Sequence, residues 1–305
     1  MKINLIHITV VLALTNVQCR DSIPTFNGGQ AFTYLQQQCA FGPRNPGSEG
    51  YGKTLNYILE HFQSLADTMF VQPFSYTVTR TGETFQLQNI IAQFHPEQEP
   101  QILITAHWDT RPWGDQDPDP NRRREPISGA NDGASGVAVI MELAGILNAN
   151  PPPVGVTLVL FDGEDLGESG NSWSYAQGSQ YFARNVPITG IREAINLDMV
   201  GDAELELYIE RISLQQNPEL VRTLWKLARQ LELPAFHAEA RHTIFDDHVP
   251  LFELAGIKAV DIIDFDYPNR YQNYWHTHDD IQEHCSANSL EQIGTLMVHY
   301  IYGQK

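Results

Sequence analysis

The stretch Ile102-Leu103-Ile104-Thr105-Ala106-His107-Trp108-Asp109 decides the fold. Ile102–Ala106 is a short, nearly continuous apolar run, as expected of a strand covered on both faces, and it ends directly on metal-capable side chains. Similar runs recur at Val156–Phe161, Ala194–Leu197 and Lys258–Ile263. Helical patterns alternate with them at Ala134–Leu147, Pro218–Leu231 and Ser289–Ile301. Strands alternating with helices predict an α/β fold: a mixed, mostly parallel central sheet with helices on both faces. Upstream, Ala31–Cys39 reads as a helix ending before Gly42-Pro43, and Ser48 as the cap of a second helix with Leu55, Ile58, Leu59 and Phe62 on one face. Met69–Tyr76 and Phe85–Phe94, separated by Thr81-Gly82, read as a hairpin. Without internal repeat or composition break, residues 20–305 form one domain.

The chain has 305 residues, with 37 acidic against 19 basic side chains, a net charge of −18 and a pI near 4.9. Hydrophobic residues at 42% exclude a disordered chain, and the acidity argues against nucleic acid as a partner, since phosphate contacts need clustered cations. The one basic run, Arg122–Arg124, reads as part of a solvated loop spanning Arg111–Ser128, although that loop also has the position to cover a site. Residues 1–19 read as a signal peptide, with Lys2 before an apolar stretch Ile8–Leu14. That stretch is shorter than the roughly 20 residues that span a bilayer, and no later segment qualifies, so no transmembrane helix is expected. Two readings of the junction stand: cleavage after Cys19, or cleavage before it with a lipid anchor on its sulfur. Either makes the protein exported, periplasmic or secreted. Cys39 and Cys285 remain, as thiols or as a pair, and the absence of a C-x-x-C spacing excludes a cysteine–zinc site.

Metal-capable residues collect just past the strands. His107 and Asp109 follow the first run; Asp132 precedes the Ala134–Leu147 helix; Glu164 and Asp165 follow Val156–Phe161; Asp198 ends the third run; His276 lies downstream of the fourth. In a parallel sheet, the carboxyl ends of strands share one rim, where open α/β sheets build their sites. Taken singly, each residue has a plainer role. Asp162 reads as a turn or helix-cap residue, Asp132 as a cap of its helix, Asp279 and Asp280 as the start of an exposed turn, and His237, His242 and His284 as surface or internally satisfied histidines. What raises the set above those roles is convergence, together with the adjacent carboxylates Glu164 and Asp165, which are costly to bury without a cation or a shared proton.

These residues resemble the zinc aminopeptidase superfamily known as peptidase family M28. The likeness rests on Ala-His107-Trp-Asp109, Asn131-Asp132-Gly-Ala-Ser-Gly-Val, Phe-Asp-Gly-Glu164-Asp165, Asn-Leu-Asp198 and His276. Within that superfamily the chain looks like the glutaminyl-peptide cyclotransferases, or glutaminyl cyclases. The features carrying this are Phe245-Asp246-Asp247-His248-Val-Pro, Trp275-His276-Thr277-His-Asp279-Asp280, and Trp173 preceding Gly178-Ser179-Gln180-Tyr181. The resemblance implies that Asp132, Asp165 and His276 hold one zinc ion with an open fourth position. It implies substrates that are peptides or proteins with an N-terminal glutamine, converted to pyroglutamate with release of ammonia. Glu164 would shuttle the proton, Asp198 and Asp247 would hydrogen-bond around the leaving amide, and Trp173 and Trp275 would wall the pocket; for Trp173, ordinary packing is an equal reading.

The superfamily also contains co-catalytic aminopeptidases, in which His107 and Asp198 would bind a second zinc, with Asp132 as the bridge. All those residues are present. Asp165 departs from the glutamate found in many relatives, which shortens that ligand's arm. A third reading, an exported zinc-binding protein that holds peptide ends without catalysis, predicts a broken shuttle, whereas Glu164 is intact.

Overall fold

The computed structural model describes residues 23–304; the leader 1–19 and both readings of Cys19 lie outside them. Helices α1 (Gly28–Ala40) and α2 (Glu49–Gln63) come first, capped by Asn27 and by Ser48, whose oxygens accept from the Gln30 and Tyr51 peptide nitrogens at 3.0 Å. The hairpin β1 (Thr68–Thr77) and β2 (Thr84–Phe94) follows, then β3 (Gln101–His107), α3 (Ala134–Ala149) and β4 (Gly155–Phe161). Next are α4 (Gln177–Arg184), β5 (Ile191–Asp198), β6 (Leu207–Ile209), α5 (Arg211–Gln216), α6 (Pro218–Gln230) and β7 (Phe236–Ala240). The chain ends with α7 (His248–Ala255), β8 (Ala259–Ile263), the short pair β9 (Pro268–Asn269) and β10 (Gln272–Asn273), and α8 (Ala287–Tyr302).

Six strands form the central sheet in the order β1-β2-β4-β3-β5-β8. Strand β2 runs antiparallel to both its neighbours, β1 and β4, while β4, β3, β5 and β8 run parallel to one another. This is the mixed, mostly parallel sheet expected from the apolar runs. Side chains alternate along a strand, and the two faces bury different sets. Ile102, Ile104 and Ala106 of β3, with Val156, Leu158 and Leu160 of β4, join a core that includes Leu35 of α1, Ile58 and Phe62 of α2, and Leu290 and Met297 of α8. Leu103, Val159 and Phe161 point the other way, against Phe182 of α4 and Leu251 of α7.

Parallel register places the strand ends together: His107 lies opposite Phe161, and Asp198 opposite Ile263. Helix α3 is apolar all round because it is buried all round, from Ala134 to Leu147 with few breaks. Cys39 and Cys285 are free thiols, half-buried and buried. Among the described residues, no helix is long and apolar enough to cross a membrane.

Candidate metal centre and active site

The rim of the sheet gathers the side chains as the spacing suggested. His107 is the last residue of β3 and Asp198 the last of β5. Glu164 and Asp165 sit in a short 3-10 turn after β4. Asp109 anchors that turn, its two oxygens accepting from the Glu164 and Asp165 peptide nitrogens at 3.1 and 3.2 Å.

Asp132 does not cap α3. That place belongs to Gly133, whose φ of 97° is a conformation side chains rarely adopt and whose added Cβ would stand 2.7 Å from the Asp109 carbonyl oxygen. The turn at Gly133 leaves the Asp132 carboxylate between two histidines: Oδ1 is 3.0 Å from His107 Nε2 and Oδ2 is 3.6 Å from His276 Nε2. Asp165 Oδ1 lies 2.9 Å from the same His276 nitrogen, and Asp198 Oδ1 lies 3.2 Å from His107 Nε2. His276 itself holds a left-handed φ of 57°, unusual outside glycine, with the Trp275 ring stacked on it at 3.7 Å.

Asp132, Asp165 and His276 bring one ligand atom each within 4.8 Å of one another, as do His107, Asp132 and Asp198. The first trio fits a divalent cation on its own terms. Both Asp165 oxygens and Asp132 Oδ2 are buried without any hydrogen-bond donor, a costly state for carboxylates unless a cation sits between them. Each histidine presents its second ring nitrogen to a carboxylate: His276 Nδ1 to Asp115 at 3.5 Å and His107 Nδ1 to Asp109 at 3.6 Å. Such partners orient ligating imidazoles. Asp115 is in turn gripped by the Arg111 fork at 2.7 and 2.9 Å.

Beside the trio opens a cavity of about 310 Å³, with Asp132, Glu164, Asp198, Asp246 and His276 on its polar side and Tyr175, Ile244, Phe245, Phe265 and Trp275 on its apolar side. Glu164 is almost wholly buried, and burial first, then the neighbouring Asp165, pushes its carboxyl well above the usual range. Burial and then Asp198 raise Asp246 to about 6.

Several expectations are corrected here. Of the two adjacent aspartates, Asp246 lines the cavity; Asp247 is fully buried and does not line it. Asn196 fixes Asp246 by donating to its Oδ2 at 2.7 Å. The order of facing is set by the backbone entering α7, which a pair of adjacent aspartates does not reveal. Trp275 lines the cavity, whereas Trp173 is 45% exposed and packs edge-on against Phe245, the ring that reaches the lining. Trp173 is therefore not an ordinary core residue. Asp162 stands in the bend after β4, fully buried, and accepts from Tyr51 Oη and the Gln88 peptide nitrogen.

Asp280 is the largest departure. Instead of starting an exposed turn it is fully buried, accepting from the Asn131 and Asp132 peptide nitrogens at 2.7 and 3.1 Å and from Tyr267 Oη at 3.0 Å. It fixes the backbone that presents Asp132. Its sequence signals were its place four residues after His276 and its position at the end of the cyclase-like segment that begins at Trp275.

Comparison with known proteins bears on the family and the fold. The family model described as "Peptidase family M28" matches residues 89–301. The structure of Bacteroides thetaiotaomicron glutaminyl cyclase bound to N-acetylhistamine superposes with a TM-score of 0.89 at 33% identity, over 93% of this chain and 100% of that one. A Zn-dependent exopeptidase from Parabacteroides distasonis does so with a TM-score of 0.89 at 31% identity, again over 93% and 100%. Aminopeptidase YwaD of Bacillus subtilis is 30% identical over 70% of this chain, a match that spans only 44% of its own length. The fold, the rim of carboxylates and histidines, and the family match lead to one statement: the chain belongs to peptidase family M28.

Proposed function

We propose that the protein is a zinc-dependent, exported glutaminyl-peptide cyclotransferase, converting N-terminal glutamine to pyroglutamate with loss of ammonia. The observation that carries this reading is the group Glu164, Asp198 and Asp246 facing one cavity beside the metal trio. Amide expulsion needs a proton at the leaving nitrogen, and a set of closely placed carboxyls under burial retains one.

Asp132, Asp165 and His276 would hold the zinc ion, which would supply Lewis acidity toward the γ-amide oxygen. The remaining work belongs to side chains. The apolar wall of Trp275, Phe265 and Phe245 packs the glutamine methylenes and keeps bulk water from the reacting carbon. Asp198 and Asp246 accept hydrogen bonds from the amide nitrogen and the neutral α-amine. Glu164 takes a proton from the substrate's α-amine as the new C–N bond closes the five-membered ring. It returns that proton to the γ-nitrogen as the old C–N bond breaks, so ammonia leaves neutral and Glu164 ends as it began. Holding amine and carbonyl together supplies roughly 7–11 kcal/mol of the barrier reduction.

A second reading, a two-metal aminopeptidase, is supported by the His107, Asp132 and Asp198 trio. The discriminating experiment gives the purified protein a glutaminyl peptide and aminoacyl reporters while zinc is counted. Ammonia with a cyclised product and about one metal per chain supports the cyclase; free amino acids with two metals support the peptidase and end the first reading.

A further inference from the structure

The basic run Arg122–Arg124 has a place that the cyclase chemistry does not use. In a chain of net charge −18, the fold brings two of its arginines to a second cavity of about 380 Å³, lined by Arg80, Trp113, Asp115, Arg123 and Arg124. Arg80 lies over the Trp113 ring at 4.1 Å, and Arg123 Nε is held by the Asp117 carbonyl oxygen at 2.7 Å. Arg122 pairs with Glu125 at 3.8 Å, whereas Arg80, Arg123 and Arg124 are exposed and, among the described residues, form no ion pair. The Arg80 and Arg123 guanidinium groups are placed by the Trp113 ring and the Asp117 carbonyl oxygen, and all three are free of acidic partners among the described residues.

This cavity adjoins the first. Asp115, on its wall, stands 3.5 Å from His276 Nδ1, and the His276 ring lines the active-site cavity. Arg111 lies 5.1 Å from the Trp113 ring on one side of the partition and 5.4 Å from the Tyr175 ring on the other. The Arg80 peptide nitrogen donates to Glu168 at 2.7 Å, and the next residue, Ser169, lines the active-site cavity. The partition is thus about one side chain thick. A peptide advances roughly 3.3–3.6 Å per residue, so about three residues bridge it.

We propose that the arginine-lined cavity receives acidic side chains of the peptide substrate, carried about two to four residues after the N-terminal residue held beside the metal trio. The proposal rests on the reading above that the substrate enters by its N-terminus. Arg favours this work because its planar fork matches a carboxylate. The overall negative charge opposes acidic peptides at long range, but at physiological salt that field decays over about 8 Å while direct contacts persist.

The test uses the zinc-loaded full chain with three peptides of equal length, Gln-Ala-Glu-Glu-Ala, Gln-Ala-Gln-Gln-Ala and Gln-Ala-Lys-Lys-Ala. KM is expected to be about five-fold lower for the acidic than for the neutral peptide, the scale of a few exposed ion pairs, and higher again for the basic one, with kcat little changed. The double substitution Arg123→Glu with Arg124→Glu should invert that order, and Arg80→Gln alone should weaken it. A KM indifferent to peptide charge, or an order unchanged in the double variant, overturns the proposal. Anisotropy of a labelled acidic peptide on Glu164→Gln protein, with and without the arginine substitutions, reads binding independently of turnover. If no peptide is cyclised, the cyclase reading falls alone, and loss of this binding on charge reversal still decides the arginine cavity.

Discussion

Glu164 and Asp165 are neighbouring carboxylates given different work by what surrounds each. Burial would raise Asp165, but His276 and Arg111 outweigh it and hold the group below its usual value, as suits a metal ligand. Glu164 faces the cavity, and burial and then the Asp165 charge push it up despite the opposing pull of His107, as suits a proton carrier. Glu164→Gln is therefore expected to keep its zinc while kcat falls by about 10²–10⁴-fold, with metal content and single-turnover rates as the paired measurements. Normal turnover would remove Glu164 from the chemistry, and lost zinc would exchange its role with that of Asp165. Asp280 acts at one remove. Asp280→Asn exchanges one acceptor oxygen for a donor facing peptide N–H groups, so zinc affinity in a chelator competition should weaken about 10–100-fold while the far-ultraviolet spectrum is kept.

Helix α3 shows how tightly an element is bound to the site it serves. Gly136 in its first turn packs on the sheet so closely that an added Cβ would stand 2.2 Å from the Leu197 carbonyl oxygen and 2.9 Å from Ala106 Cβ. Gly136→Ala should destabilise by about 1–3 kcal/mol in chemical denaturation, and should disturb Asp198, the residue after Leu197, more than Asp165 in the turn after β4. The elements were legible because burial on both faces writes continuous apolar runs, and because His107, Asp198 and Asp165 follow such runs at fixed short distances. His276 was legible only as a histidine downstream of the fourth run, and its pairing with Asp132 and Asp165 came from the resemblance, since the loop from Ile263 to His276 carries no period that fixes where it folds back. Asp280 and Asp246 were hidden for a related reason. Each stands in a polar segment where adjacent acids look alike, and only the folded backbone decides which one turns inward. Trp173 was misplaced because an aromatic residue in a loop gives no sign of whether it lines a cavity or supports the ring that does.

At the scale of the whole molecule, the fold buries more negative charge than its histidines and arginines neutralise. Asp132 is raised to about 7 by burial and then by Asp165, Asp264 to about 8 chiefly by burial, and Asp280 and Asp202 to about 6 chiefly by burial. A carboxyl whose folded value exceeds its unfolded value of about 4 binds more protons in the native state between the two, so stability falls as pH rises through that window. His276 works in the same direction: burial lowers it, but Asp165 and Asp115 outweigh burial and raise it, so its contribution is full below the unfolded value near 6.5 and is lost above the folded one. The metal-free protein should therefore lose stability steadily from about pH 4 to about pH 8. A cation at Asp132, Asp165 and His276 removes the cost of ionising those groups, but leaves Asp264 and Asp202, which lie outside the trio. Zinc-loaded protein should accordingly melt higher than the chelated form, and the gap should widen as pH rises from 5 to 8, because proton loss from the ligands favours binding and disfavours the empty fold. Paired thermal melts across that range, with and without chelator, read both slopes. A gap that is constant with pH would mean that the trio does not carry the ion, and a metal-free form that gains stability toward pH 8 would mean that the buried carboxyls are not raised as their surroundings require.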